Sequence, residues 1–180
     1  MSTELMEGME AHAGGHHQVH VSTQIQGHGI ETFEVSSHAT LLELMAEGAR
    51  LAGLSLLPPK EQPFDRLHAM HGEEMGRVIE DLHQTIEDYL RQPDASPHFG
   101  IELLRTFRVN TRWDVAPRPE LSPKEILALP RIHLEYTEYT LYYPEKTEPI
   151  PLDTLIPVER GEEFEAQRDG RYGGERHHGS

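Results

Sequence analysis

The 180-residue sequence contains no cysteine. Its side chains therefore form no thiolate nucleophile, thioester carrier or CxxC redox pair, and no disulfide framework supports a small core. If thioester chemistry concerns this chain, the chain is its cargo. Long apolar runs are missing as well. None approaches the roughly 20 residues that a membrane helix needs, and no membrane partner is expected. The opening MSTELMEGME lacks both the basic and the apolar stretch of a secretory signal, so the expected location is the cytoplasm. Basic residues are outnumbered by acidic ones, 16 to 31, giving a formal net charge of −15. That balance opposes phosphate backbones, where lysine and arginine must displace counterions, and nucleic acid is not an expected partner. HExxH, GxSxG, the phosphate-cradling P-loop and GxGxxG are all missing, so neither intrinsic catalysis nor a cofactor is expected.

What is there begins with a polar, glycine-containing stretch without periodicity, residues 1–17, which reads as a disordered arm. His12, His16, His17 and His20 fall in or beside it, but a metal centre needs a rigid scaffold and partners behind its ligands, and none is expected here. From Val19 the pattern alternates, with Val19, Val21, Thr23 and Ile25 on one face, and GHG leads into ETFEVSS as a hairpin. In ATLLELMAEGARLAGL, Leu41, Leu44, Met45, Ala49 and Ala52 share one side of a helix. Thr40 with Glu43 makes a capping box, and Gly53 is the stop. PPKEQP reads as a rigid connection, FDRLHAMH and GRVIEDL as short strands, and QTIEDYLRQ as a short helix or turn. HFGIELLRTFRVNTRWDVA reads as one or two strands.

The second half repeats strand, helix, strands in shorter form, with FRVNTRWDVAPR as its opening strand or hairpin. SPKEILAL places Ser122 at the N-cap, Pro123 at the first helical position and Glu125 at the third, with Pro130 as the stop. EYTLYYP alternates as a half-buried strand: Tyr139, Leu141 and Tyr143 face one way, Thr140 and Tyr142 the other. LDTLIPVERGEEFEAQRDG supplies one or two more strands. Trp113, the only tryptophan, is expected as a core anchor between the halves, because large aromatics dominate burial. A partner contact is its other reading.

The segment 122–170, with a capped helix ending in ILAL, an aromatic strand, a polar turn and the closing LIPVERGEEFEAQ, resembles the bacterial multiubiquitin type of ubiquitin-like β-grasp domain. Residues 18 to about 108 resemble a more divergent β-grasp domain, with GRVIEDLHQTIEDYL before its last strand. The resemblance implies an α+β fold of two tandem ubiquitin-like β-grasp domains, at 18–106 and 107–168, between the arm at 1–17 and a flexible tail at 169–180. The tail, DGRYGGERHHGS, fits that family, whose members end in a Gly-Gly dipeptide and are often made with residues beyond it.

The resemblance implies a modifier precursor cut between Gly174 and Glu175, conjugated through the Gly174 carboxylate, with Arg171, Tyr172 and Gly173 read by the processing and activating enzymes. Arg168 is a further recognition candidate. Tyr172 stands where ubiquitin itself has a second basic residue. Implied partners are a JAB-type metalloprotease, an E1-like activating enzyme, an E2-like conjugating enzyme and target proteins, in a bacterial conjugation operon serving defence against phage. Glycine suits the tail, since a residue without Cβ threads narrow enzyme channels. Lys60, Lys124 and Lys146 are the lysines able to accept a further copy. Two rivals from other classes stand beside this one: a binding module whose glycines are linker, and a sulfur carrier with a C-terminal thiocarboxylate.

Overall fold

A computed structural model of the chain describes residues 17–169. The chain divides into two compact units, one of residues up to 59 together with 65–103, the other of 60–64 together with the residues from 104 onward. Each is a mixed β-sheet with short helices. The two make a tandem α+β arrangement broadly like the β-grasp.

In the first unit β1 (Gln18–Ile25) and β2 (Gly29–Ser36) form the hairpin, turning where Gly27 and Gly29 both take φ +83°, a conformation that glycine adopts without steric cost. Val21, Thr23 and Ile25 are buried, as alternation demands. α1 (Leu41–Leu51) then crosses the sheet. Thr40 accepts from the Glu43 backbone N–H at 3.1 Å while the Glu43 carboxylate accepts from the Thr40 N–H at 2.8 Å, so two donors at the helix start are satisfied reciprocally. At its other end Leu54 donates to the Ala49 carbonyl and Gly53, at φ +79°, to that of Arg50, which closes the helix in a Schellman motif. Leu41, Leu44, Met45 and Ala49 are fully buried, each large side chain contributing about 1.5–3 kcal/mol relative to exposure.

β3 (Arg66–His71), β4 (Glu74–Ile79) and β5 (His98–Glu102) complete a five-stranded sheet in the order β2-β1-β5-β3-β4, with β1 and β5 parallel and the other pairs antiparallel. The short helix α2 (Ile86–Leu90) starts beside the start of α1: Leu41 N–H reaches the Gln84 carbonyl and Ile86 N–H the Ala39 carbonyl. First-turn donors that no helix can satisfy internally are thereby paired.

The second unit shortens this plan. β6 (Thr106–Val109), β7 (Arg112–Val115), β9 (Tyr139–Tyr142) and β11 (Glu163–Arg168) form a sheet ordered β7-β6-β11-β9, with β6 and β11 parallel. β8 (Glu120–Leu121) and β10 (Ile156–Pro157) make a separate two-stranded ribbon. α3 (Pro123–Ala128) has Ser122 as N-cap, and Ser122 with Glu125 forms a complete capping box. Phe107, Val109, Ile126, Leu127, Leu141 and Phe164 meet in the core, with Phe107 and Phe164 edge-to-face at 6.0 Å. The outer side of β9 is covered by its own connection, where Leu141 carbonyl accepts from Ile150 and Tyr143 carbonyl from Lys146. An otherwise open sheet edge is thereby blunted.

Two expectations are corrected. HFGIELLRTFRVNTRWDVA holds three strands, β5, β6 and β7, because the chain leaves the first sheet after Glu102 and starts the second at Thr106. Trp113 is half-buried on the sheet face turned away from the core. Strand alternation decides this: Phe107 takes the inner face, its cross-strand partner Asp114 shares it, and Trp113 falls opposite Arg108 on the outer one. Asp114 is buried there with its carboxylate accepting from the Arg131 and Val115 backbone N–H groups, at 2.8 and 2.7 Å.

Candidate functional site

Arg171, Tyr172, Gly173, Gly174 and Glu175 lie outside the described residues, as do His12 and His16. What the structure places is the strand that leads to them. β11 pairs with β6 only through Glu163 and Phe164, then continues along β9 as far as Arg168 opposite Tyr139. Beyond the end of β6, a side chain takes over from the missing strand. Asn110, in the β6–β7 turn at φ +56°, accepts from Ala166 N–H through Oδ1 at 2.9 Å and donates through Nδ2 to the Ala166 carbonyl at 3.1 Å. Its own N–H donates to the Phe164 carbonyl at 3.0 Å. One amide thus imitates a peptide unit and holds the strand straight where its parallel neighbour has turned away.

On the other side Glu138 closes the strand. Its carbonyl accepts from Asp169 N–H at 2.6 Å, and its carboxylate pairs with the Arg168 guanidinium at 2.8 Å. Arg168, a recognition candidate from the sequence, is therefore engaged within its own unit. Neither Asn110 nor Glu138 stood out in the sequence. Their partners are 56 and 30 residues away, and no local spacing signals such pairs.

The outer face of the same sheet carries Trp113 with the Arg108 guanidinium 5.7 Å from its ring centroid, and Arg108 in turn pairs with Glu163 at 2.8 Å. Tyr142 stands opposite Glu165. Tyr139, Leu141 and Tyr143 face the core as the alternation requires, Leu141 fully buried. Burial first, and the charge of Glu162 second, push the Tyr143 phenol above its ordinary range.

All three lysines are exposed; Lys124 holds its ammonium 4.8 Å from the Tyr136 ring centroid, and Lys60 sits at φ +66°. His20 pairs with Glu34 at 2.8 Å on the exposed hairpin. Ser22 Oγ meets His98 Nδ1 at 2.8 Å, but among the described residues no carboxylate pairs with His98, and a nucleophilic dyad needs such an orienting group. At the start of α3 the Glu125 carboxyl is held below the usual carboxylate range, chiefly by the Ser122 N–H and then by Arg118. The arrangement as a whole fixes a strand end. No family model and no curated protein matches the chain.

Proposed function

We propose that the chain is a ubiquitin-like protein modifier, made as a precursor and cut after Gly174. The observation that carries this reading is the course of the second unit. Its last strand runs parallel to its first through the middle of the sheet, is anchored to Arg168 and Asp169, and leads within a few residues into Arg171-Tyr172-Gly173-Gly174. A mixed sheet packed with a helix that starts in a capping box, present twice, supports the tandem ubiquitin-like form.

In this reading a JAB-type metalloprotease hydrolyses the bond between Gly174 and Glu175 and frees a carboxylate. An E1-like enzyme adenylates that carboxylate with release of pyrophosphate. An enzyme thiol then displaces AMP to give a thioester, an E2-like enzyme receives it, and a target amine displaces the thiol to leave an amide. Every thiol in the sequence of steps belongs to a partner, since this chain has none. The chain's own contribution is a rigid strand end that delivers an unbranched dipeptide, which enzymes bind as an extended strand through main-chain hydrogen bonds. The biological setting in this proposal is bacterial defence against phage.

The test is co-expression with the genes encoding such enzymes, followed by mass spectrometry. The expected products are a chain ending at Gly174 and target lysines carrying the Gly174 carbonyl. A chain that keeps full activity without its tail and forms no adduct is instead a binding module.

A further inference from the structure

The solvent face of the β8–β10 ribbon is an open groove of about 590 Å³, within the range of ligand-binding clefts. Antiparallel pairing of Ile156 with Leu121 and Pro157 with Glu120 turns Leu121, Ile156 and Val158 into the core, all three buried. The same alternation leaves Leu155, Pro157 and Glu159 on the outside beside Arg118 and Glu120. Pro119, Leu155 and Pro157 give the groove an apolar floor, and Leu155 is 59 % exposed.

The charges around the floor are unequal in their commitments. Arg118 is neutralised by Glu125, while Arg105 donates to the Val158 carbonyl and keeps its charge, one cation against two carboxylates. Among the described residues the carboxylates of Glu120 and Glu159 have no ion-pair partner, although both border the floor. An apolar floor beside two uncommitted carboxylates complements an aliphatic side chain flanked by cations. An acidic segment would meet like charges, and a purely polar one would leave the floor wet.

We propose that this groove docks a short extended peptide segment in which a branched aliphatic side chain is flanked by lysine or arginine. The aliphatic group lies on Pro119, Leu155 and Pro157, and the flanking cations pair with Glu120 and Glu159. None of the described residues that line it belongs to the conjugation motif, so it serves partner recognition whether or not the chain is conjugated.

The experiment is a titration of the full isotope-labelled chain with the peptide GSKLKLKSG, read by two-dimensional NMR, with GSELELESG as control. Saturable shifts are expected at the Glu120, Leu155 and Glu159 amides with the basic peptide. Leu155→Asp should weaken binding about tenfold, the size expected for a central anchor. Glu120→Gln with Glu159→Gln tests the charges without touching the floor and should both weaken binding and flatten its salt dependence. Circular dichroism of each variant confirms an unchanged fold, and a chain ending at Asp169 should bind equally well. Equal binding of the acidic peptide, shifts confined to other surfaces, or no saturation at millimolar peptide would overturn the proposal. Concentration-dependent shifts of the same amides without peptide would assign the groove to a second copy of the chain and overturn it too.

Discussion

Gly48 on α1 faces Thr23 on β1 so closely that a Cβ on the glycine would stand 2.5 Å from the threonine hydroxyl oxygen and 2.9 Å from its Cβ. The helix can lie this near the sheet because one residue has no side chain there. Replacing a helical glycine by alanine ordinarily gains about 0.5–1 kcal/mol, but overpacking a core costs about 1–3 kcal/mol, and here one colliding atom is a Cβ fixed to the strand. Gly48→Ala should therefore destabilise the first unit in urea unfolding. Adding Thr23→Ala, which removes the hydroxyl and the methyl, should restore part of the loss. A more stable single variant would mean that the helix can move outward freely.

Thr106 is fully buried, and among the described residues its hydroxyl has no hydrogen-bond partner. An unsatisfied buried polar group costs about 1–3 kcal/mol, whereas valine has nearly the same shape and suits a strand. Thr106→Val is expected to hold or raise the denaturation midpoint. A clear loss would reveal a partner for the hydroxyl, such as bound water.

Ser122→Ala removes the cap of α3 and should cost about 1 kcal/mol, as N-cap deletions do. The pH dependence follows from Glu125, whose carboxyl sits below its ordinary range because of the Ser122 N–H and then Arg118. A group with a depressed folded-state pKa stabilises the fold above its unfolded value and loses that contribution as pH falls through the folded one. Wild type should thus exceed Glu125→Gln in stability at neutral pH, with the gap closing below about pH 4, near the reference value for glutamate. A gap independent of pH would remove the charge from the explanation.

Asn110 both imitates a peptide unit for Ala166 and tolerates φ +56°. Asn110→Gly keeps the backbone conformation easy but deletes both side-chain bonds, so hydrogen exchange should speed up at Ala166. Asn110→Ala adds the cost of a left-handed residue, about 1–2 kcal/mol. Equal protection of the Ala166 amide in all three proteins would show that the amide clamp is idle.

Gly174→Ala should leave unfolding unchanged to within about 0.5 kcal/mol, the range for positions away from structural features. If the proposed processing and transfer occur, the added Cβ should slow them. Unaltered rates of cleavage and adduct formation would count against a channel that demands glycine.

Much of the local structure was readable before any fold was known. Thr40 with Glu43 and Ser122 with Glu125 announced two helix starts, Gly53 announced a stop, and the alternation in β1 and β9 sorted their residues onto two faces. Such signals rest on contacts within about four residues, which the chain makes wherever it goes. Trp113 was misread because size alone suggested burial, whereas its face was set by the register of β6 against β7. The tail residues Arg171 to Glu175 were legible only as a motif.

The sequence by itself determined most of the elements, which residues share a face in β1, β9 and α1, the absence of thiol chemistry and the excess of acidic residues. Tertiary structure alone decided that β1 lies parallel to β5 and β6 to β11, that Asn110 stands in for a strand, and that Leu155 borders a groove. Each of these joins residues 53 to 76 positions apart, at the registers Ser22 with His98 and Glu163 with Arg108 and in the Asn110 and Arg105 contacts, or turns on which side of a ribbon faces the core. Parallel pairing needs a crossover, so no short window contains both partners, and only the burial of a shared core selects one register among many.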